Sequence, residues 1–338
     1  MRQDASLTLR PIVFLLAAAV IAPALIYPIF LMKVMCFAIF ACAVNLLVGY
    51  VGLLSLGHSM FFGMSAYVTA YVLKEWGWPF EIALLCAVLA STVLGFIAGA
   101  IAIRRQGIYF AMITLALAQM VYFFCLQAPF TGGEDGLQKV PRPVVLGLLD
   151  TANDNVLYVV VLAMFLAAFA IYHRTIHSPF GQVLEAIRDN EPRAVSLGYK
   201  VNRYKLLAFV LSAALTGLAG GTKVLVFQLA SLTDVNWHMA TEVVLMVLVG
   251  GMGTVLGPLV GAVCILAMQE YLAPLGEWVM VIQGVILVTV VMVFRRGLVG
   301  EFEVWRARKS SLTEAAKHPS HQERAVGLAT PKGANPHR

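Results

Sequence analysis

Charged side chains are scarce in this chain. Asp, Glu, Lys and Arg make up 12% of its 338 residues, about half the share found in an ordinary soluble domain. Long apolar stretches alternate with short polar ones, which argues against a soluble globular fold and for lipid as the solvent. Cysteine is also sparse. Cys36, Cys42, Cys86, Cys125 and Cys264 all lie in apolar segments without metal-ligand spacing, so they read as small buried hydrophobes, with no metal site. No Gly-Lys dipeptide occurs, so the chain lacks a loop that wraps nucleotide phosphates. GxSxG, HExxH and CxxC are missing too. No cofactor and no enzymatic activity are expected, and any ATP hydrolysis belongs to a separate polypeptide. The formal charge of +6 raises nucleic acid as a partner. The basic residues, however, cluster in a few loops and in the tail rather than along one face, which fits membrane topology and no nucleic acid.

What is abundant is apolar: 60% of the residues. The apolar segments fall at about 11–29, 31–50, 53–73, 81–103, 107–128, 155–173, 205–228, 239–251, 254–269 and 277–294. Most are close to the roughly 20 residues that cross a bilayer as a helix. The expected fold is all-α, a polytopic transmembrane bundle of eight to ten segments with broken or re-entrant helices. The eighth and ninth segments are short and separated by Gly250, Gly251, Met252 and Gly253, as two short helices or one re-entrant hairpin. The first segment follows Arg2 and Arg10 and carries an Ala22-x-Ala24 step. A retained helix is preferred there over a cleaved signal. Arg104 and Arg105, the group from Arg174 to Lys205, and Arg295 and Arg296 all fall on one side when spans are counted. That side is the cytoplasm by the positive-inside rule, with both termini on it. The membrane body is 1–296, with an inward basic loop at 174–204 and an outward loop at 129–154. The tail, 297–338, is polar and expected to be cytoplasmic and mostly disordered.

Several residues stand out chemically. Asn45 to Tyr67 reads NLLVGYVGLLSLGHSMFFGMSAY. Asn45, Gly49, Gly52, Ser55, Gly57, His58 and Ser59 place glycine and polar groups inside an apolar run, where unwound backbone or an ionisable side chain needs protein or a cavity around it. They are candidates for a translocation pathway; the alternative is a packing seam in which His58 and Asn45 bond to neighbouring backbone. Glu242 is a further pathway candidate, or an interfacial acid. Val48-Gly49-x-x-Gly52 recurs as Val249-Gly250-x-x-Gly253, an echo that marks either a repeat or chance. Thr131, Gly132, Gly133, Glu134 and Asp135 form a turn-rich acidic loop on the outward side, for docking a partner, capping the pathway, binding a cation or simply turning. In the inward loop, Leu184, Ile187, Ala194 and Leu197 make an apolar face, and Arg188, Asp189, Asn190, Glu191 and Arg193 a polar one. Such an amphipathic helix suits a groove on a partner.

These segments carry a resemblance. Asn45–Tyr67, GIYFAMITLALAQ at 107–119, TGGEDGL at 131–137, the stretch 178–221 and VLVGGMGTVLGPLVGA at 247–262 together resemble the LivM-type permease subunits of branched-chain amino-acid ABC importers, over roughly residues 35–296. Urea and short-chain-amide permeases are close relatives. The resemblance implies a subunit that passes amino acids into the cytoplasm across a bacterial inner membrane by alternating access. It implies a second, LivH-like permease, two cytoplasmic ABC ATPases and a periplasmic amino-acid-binding protein as partners, besides membrane lipid. It also implies that Glu185, Arg188, Asp189, Glu191, Arg193 and Gly198 lie in the loop that couples to the ATPase. Glu185-Ala186 matches the start of a general EAA motif, but Gly198 comes later than that motif places its glycine. The competing function is an ion-coupled secondary transporter, for which Glu242 is the one good acidic candidate.

Overall fold

A computed structural model describes residues 27–145, 149–276, 278–293 and 297–301. The segment expected at 11–29 therefore lies mostly outside the described residues, as does the tail beyond 301.

Helix α1 (Pro28–Asn45) is apolar on every side. It continues without interruption into a π-helical turn, Leu46–Val51, and Pro28–Val51 is buried along almost its whole length. A helix that is apolar all round belongs in the middle of a bundle, and α1 occupies that place. Gly52 ends it at φ +77°, a left-handed geometry open to glycine, and Leu53 N–H closes on Leu47 O at 3.1 Å. After an extended stretch the chain re-enters as α2 (His58–Tyr71), extended by a π turn at Val72–Trp76.

Helices α3 (Phe80–Ala102) and α4 (Ile108–Gln127) form the flank. Only about a third of each is buried. Leu85, Leu89, Val93, Phe96 and Ile101 on α3, and Met112, Met120 and Phe123 on α4, face outward, as lipid-facing stripes must. Helix α5 (Asp154–Ile176) follows, capped by Asn153, whose side chain accepts from Asn155 N–H. Two short helices, α6 (Pro179–Asp189) and α7 (Glu191–Ser196), then project from one end.

The second central element is α8 (Val201–Phe227), 78% buried over its window. Ala208, Ser212, Ala213, Thr216, Gly217, Ala219, Gly220 and Gly221 are all buried along it. Small residues let helices approach closely in lipid: a Cβ on Gly217 would lie 2.7 Å from Ser91 Cβ. Helix α8 packs on α1, α2 and α3. A short α9 (Leu232–Val235) leads to α10 (Trp237–Gly250), α11 (Gly257–Leu272) and α12 (Trp278–Val293).

Among the described residues, five helices are long and apolar enough to cross a membrane: Pro28–Val51, α3, α4, α5 and α8. The short eighth and ninth segments are two helices, α10 and α11, packed antiparallel, with Gly250 against Gly257, Gly261 against Met246 O and Glu242 beside Gln269. At 1.5 Å per residue they span roughly 21 and 24 Å. Residues 297–301 return to this hairpin, where a Cβ on Gly297 would meet Gly250 C at 3.0 Å; the packed body thus extends past 296.

The bundle has two distinct ends. One holds α6, α7, Arg104, Arg105, Lys200, Arg203 and Lys205. The other holds two small antiparallel ladders, β1 (Leu137–Gln138) with β4 (Leu229–Ala230) and β2 (Val144–Val145) with β3 (Leu149–Asp150). Exposed Trp76, Trp78 and Trp237 accompany them, as aromatic rings do at a membrane interface.

Candidate functional site

The polar and glycine residues proposed from the sequence as a pathway in Asn45–Ser59 fall into two hydrogen-bonded groups. The first is a clasp around Asn45, which is fully buried. Its Nδ2 donates to Tyr172 Oη on α5 at 2.7 Å and to Thr254 O at 3.0 Å. Its Oδ1 accepts from Gly253 N–H at 3.0 Å. One side chain thus joins α1, α5 and the 251–256 turn. Gly49, one helical turn later, admits that turn: a Cβ on it would sit 2.5 Å from Gly253 N and 2.9 Å from Gly253 Cα. Gly253 has φ +74°. The sequence echo between 48–52 and 249–253 therefore corresponds to direct contact of the two glycine segments.

The second group is built on His58, at the start of α2 and 0% exposed. Ser212 Oγ donates to Ala43 O, so it must accept from His58 Nε2–H, 2.8 Å away. His58 Nδ1 is then the acceptor for Ser55 Oγ–H at 3.1 Å, and Ser55 Oγ accepts Gly57 N–H at 3.3 Å. The chain has one direction throughout and assigns one tautomer from the network. Both ring nitrogens are satisfied by protein. Gly57 lets the chain pass α4, since a Cβ there would lie 2.7 Å from Thr114 O, and Thr114 Oγ1 accepts Leu56 N–H at 3.3 Å. Next to this network Ser59 Oγ is buried without a hydrogen-bond partner among the described residues.

The basic end presents α6 and α7. Ser178 caps α6, accepting Gly181 N–H at 3.4 Å. The single amphipathic helix expected here is two helices broken at Asn190, which has φ −157° and ψ 92° and caps α7 through Arg193 N–H. The cause lies in Pro192: it has no N–H to continue α6, and it suits the first turn of a new helix. Leu184, Ile187 and Ala194 are buried as expected, whereas Leu197 is 69% exposed. Arg188 reaches the bundle: its Nη1 donates to Gly49 O, and its Nε and Nη2 hold Asp189 Oδ1 at 3.3 and 3.2 Å. Lys205 Nζ, almost wholly buried, pairs with Glu191 at 2.7 Å and ties α7 to α8. Glu185 is half-buried, and Asp189, Arg193 and Gly198 are exposed. A groove of about 470 Å³ opens between α6, Gly52, Gln106 and Lys205.

At the opposite end, Thr131 Oγ1 donates to Cys125 O and Ala128 O and so closes α4. Gly132, Gly133 and Gly136 all have positive φ. Glu134 and Asp135 are exposed, and the loop leans on β4 through the β1 ladder. Beneath it lies a pair that motif reading did not single out. Lys223 Nζ on α8 meets Asp234 Oδ2 at 2.6 Å, with side chains 10% and 3% exposed. Asp234 also accepts Ser231 N–H at 3.1 Å. Isolated Lys and Asp in weakly polar segments were the available signal. Glu242 lies apart from both groups; its Oε1 accepts from Gln269 Nε2 at 2.7 Å. Lys33 and Glu270 face each other at 4.0 Å on α1 and α11. Among the described residues no cluster of three or more His, Cys, Asp or Glu could hold a metal ion.

Comparison with known proteins gives these features a setting. LivM, the high-affinity branched-chain amino acid transport system permease protein of Salmonella typhimurium, is 28% identical over 322 residues, covering 86% of this chain and 75% of the relative. Its Escherichia coli counterpart is 28% identical over 287 residues, 78% of this chain and 68% of the relative. A probable LivM of Methanocaldococcus jannaschii is 25% identical over 194 residues, 54% of each chain. No solved structure matches. The family described as branched-chain amino acid transport system / permease component matches residues 26–291. With that match spanning the central helices, the clasp and the α6–α7 projection alike, the chain belongs to this family of multi-pass membrane permeases.

Proposed function

We propose that this chain is the translocating subunit of an ATP-driven importer for branched-chain or related amino acids in a bacterial inner membrane. The observation that carries the reading is the α6–α7 projection: a charged two-helix element at the basic end, joined through Arg188 to the broken end of the central helix. The basic end faces the cytoplasm, placing both termini there, and the 129–154 loop faces the periplasm. The body comprises eight to ten membrane segments within 1–296, three to five of them besides the five long helices, and the tail, 297–338, begins with residues 297–301, which pack back on the α10–α11 hairpin.

The partners in this reading are a second, LivH-like permease, two ABC ATPases, one of them docked on 174–204, and a periplasmic binding protein that meets Thr131–Asp135. ATP hydrolysis resides in the ATPases. Alternating access is supported by a central helix that ends in a π-helical turn at Gly52, since such turns in membrane helices are common at functional sites and hinges. Asn45, Gly49, Gly52, Ser55, Gly57, His58 and Ser59 flank the path. The free hydroxyl of Ser59 is the group best suited to a passing zwitterion. His58, occupied on both nitrogens, holds α2 to α8. Glu242 serves at the far end of the path.

The test is reconstitution. The chain is co-expressed with the neighbouring permease and ATPases, purified and placed in vesicles with the binding protein, and uptake of radiolabelled leucine is followed. ATP-dependent uptake that survives ionophores supports the proposal. Uptake without ATP that collapses with the ion gradient would replace it with a secondary transporter.

A further inference from the structure

The exposed acid of α6, the arginine beside it and the broken end of α1 form one mechanical line. Arg188 donates to Gly49 O from Nη1 while Asp189, whose side chain is 70% exposed, holds the other edge of the guanidinium at 3.2 Å. Gly49 lies in the π turn directly after Asn45, whose side chain is closed on Gly253, Thr254 and Tyr172. The same guanidinium also lies against the other half of the clasp: a Cβ on Gly253 would sit 3.4 Å from Arg188 Nη1. Gly52 makes room for this cation: a Cβ there would fall 2.9 Å from Arg188 Cγ.

On the reading of α6–α7 as the ATPase dock, we infer that Arg188 is the positioning residue that carries movement of α6 into the Asn45 clasp. A charged hydrogen bond in a partly desolvated site is among the stronger non-covalent links available to it. Arg188 is 37% exposed in its side chain, so it is seated without being locked. The π turn departs from the regular α-helical pairing of the rest of α1, so a change in carbonyl pairing can be absorbed there locally. Displacing α6, or engaging Asp189 with a cation on a partner, loosens the guanidinium. Gly49 O then loses its donor, and the 251–256 turn loses its support at the same moment. The α1 end and the α10–α11 hairpin are therefore moved together by one side chain.

The experiment uses the assembled importer in vesicles, with Arg188→Gln and Arg188→Lys. Three quantities are read: ATPase retained in the complex, substrate moved per ATP hydrolysed, and thiol labelling of Thr254→Cys with and without ATP in a background lacking the native cysteines. Arg188→Gln should keep the ATPase bound, move about tenfold less substrate per ATP, the shift expected for losing one charged hydrogen bond, and lose the ATP-dependent change at 254. Arg188→Lys should be intermediate, because a single ammonium reaches Gly49 O without holding Asp189 in a fork. Should Arg188→Gln fail to fold, Asp189→Asn keeps the Gly49 bond and should still lower the ratio. Loss of the ATPase from the Arg188→Gln complex would make Arg188 a docking residue and overturn the inference, as would a wild-type ratio with unchanged labelling at 254. Failure of the wild-type chain to bind any ATPase would instead overturn the functional reading, and this inference with it.

Discussion

Lys223→Met should be among the most damaging single substitutions in the molecule. Lys223 Nζ lies 2.6 Å from Asp234 Oδ2, and the two side chains are 10% and 3% exposed. Removing the lysine leaves the carboxylate with only Ser231 N–H at 3.1 Å and Ser231 Oγ at 3.3 Å, two neutral donors for a full charge. Breaking a buried ion pair from one side costs about 3–5 kcal/mol, whereas removing both charges is far less harmful. At about 2 °C per kcal/mol for a chain of this size, Lys223→Met should lower the melting temperature by roughly 6–10 °C. The double variant Lys223→Met/Asp234→Asn should recover part of that loss. The assay is thermal unfolding of the detergent-purified protein by intrinsic fluorescence, with wild type, both single variants and the double variant side by side. A Lys223→Met midpoint within about 1 °C of wild type would refute the argument. So would a double variant whose loss equals the sum of the singles, since partners in contact are expected to couple.

Ser212→Ala strands His58 Nε2–H, and should cost roughly 1–3 kcal/mol in the same unfolding assay; an unchanged midpoint would remove His58 from its role in joining α2 to α8. Gly49→Ala brings a Cβ to 2.9 Å from Gly253 Cα and should abolish uptake in vesicles, whereas normal uptake would show that the clasp can open by that much at no cost. Alkaline phosphatase fused within 129–154 should be active in cells and fused after Arg296 inactive; the reverse pattern would invert the bundle in the membrane.

The helical segments are legible because lipid imposes a single rule, a long apolar run. The run at 31–50 is α1, and 81–103, 107–128 and 155–173 are α3, α4 and α5 within a few residues. Positions where polar chemistry interrupts the rule are harder to read. Asn45 and His58 are visible as polar residues in an apolar run, but their partners Tyr172, Gly253 and Ser212 lie more than 120 residues away in sequence. Helix packing alone brings them together. The break at Asn190 is readable in principle from Asn190-Glu191-Pro192, a cap followed by a helix-starting proline, yet the amphipathic period running through it conceals the change of axis. Lys223–Asp234 escapes motif reading because its two residues belong to no shared pattern: one sits in a glycine-rich helix, the other in a capping turn, and only the reversal at β4 pairs them.

The central claim is that α6–α7 receives an ATPase. Single cysteines at Asp189 and Arg193, both exposed at the basic end, provide the direct measurement in the assembled complex, with a bifunctional thiol reagent of short span. The account predicts cross-links from both positions to the ATPase, weakened or strengthened by ATP, and none from a control cysteine at exposed Glu134 at the opposite end. Cross-links from Glu134 with none from Asp189 or Arg193 would contradict it.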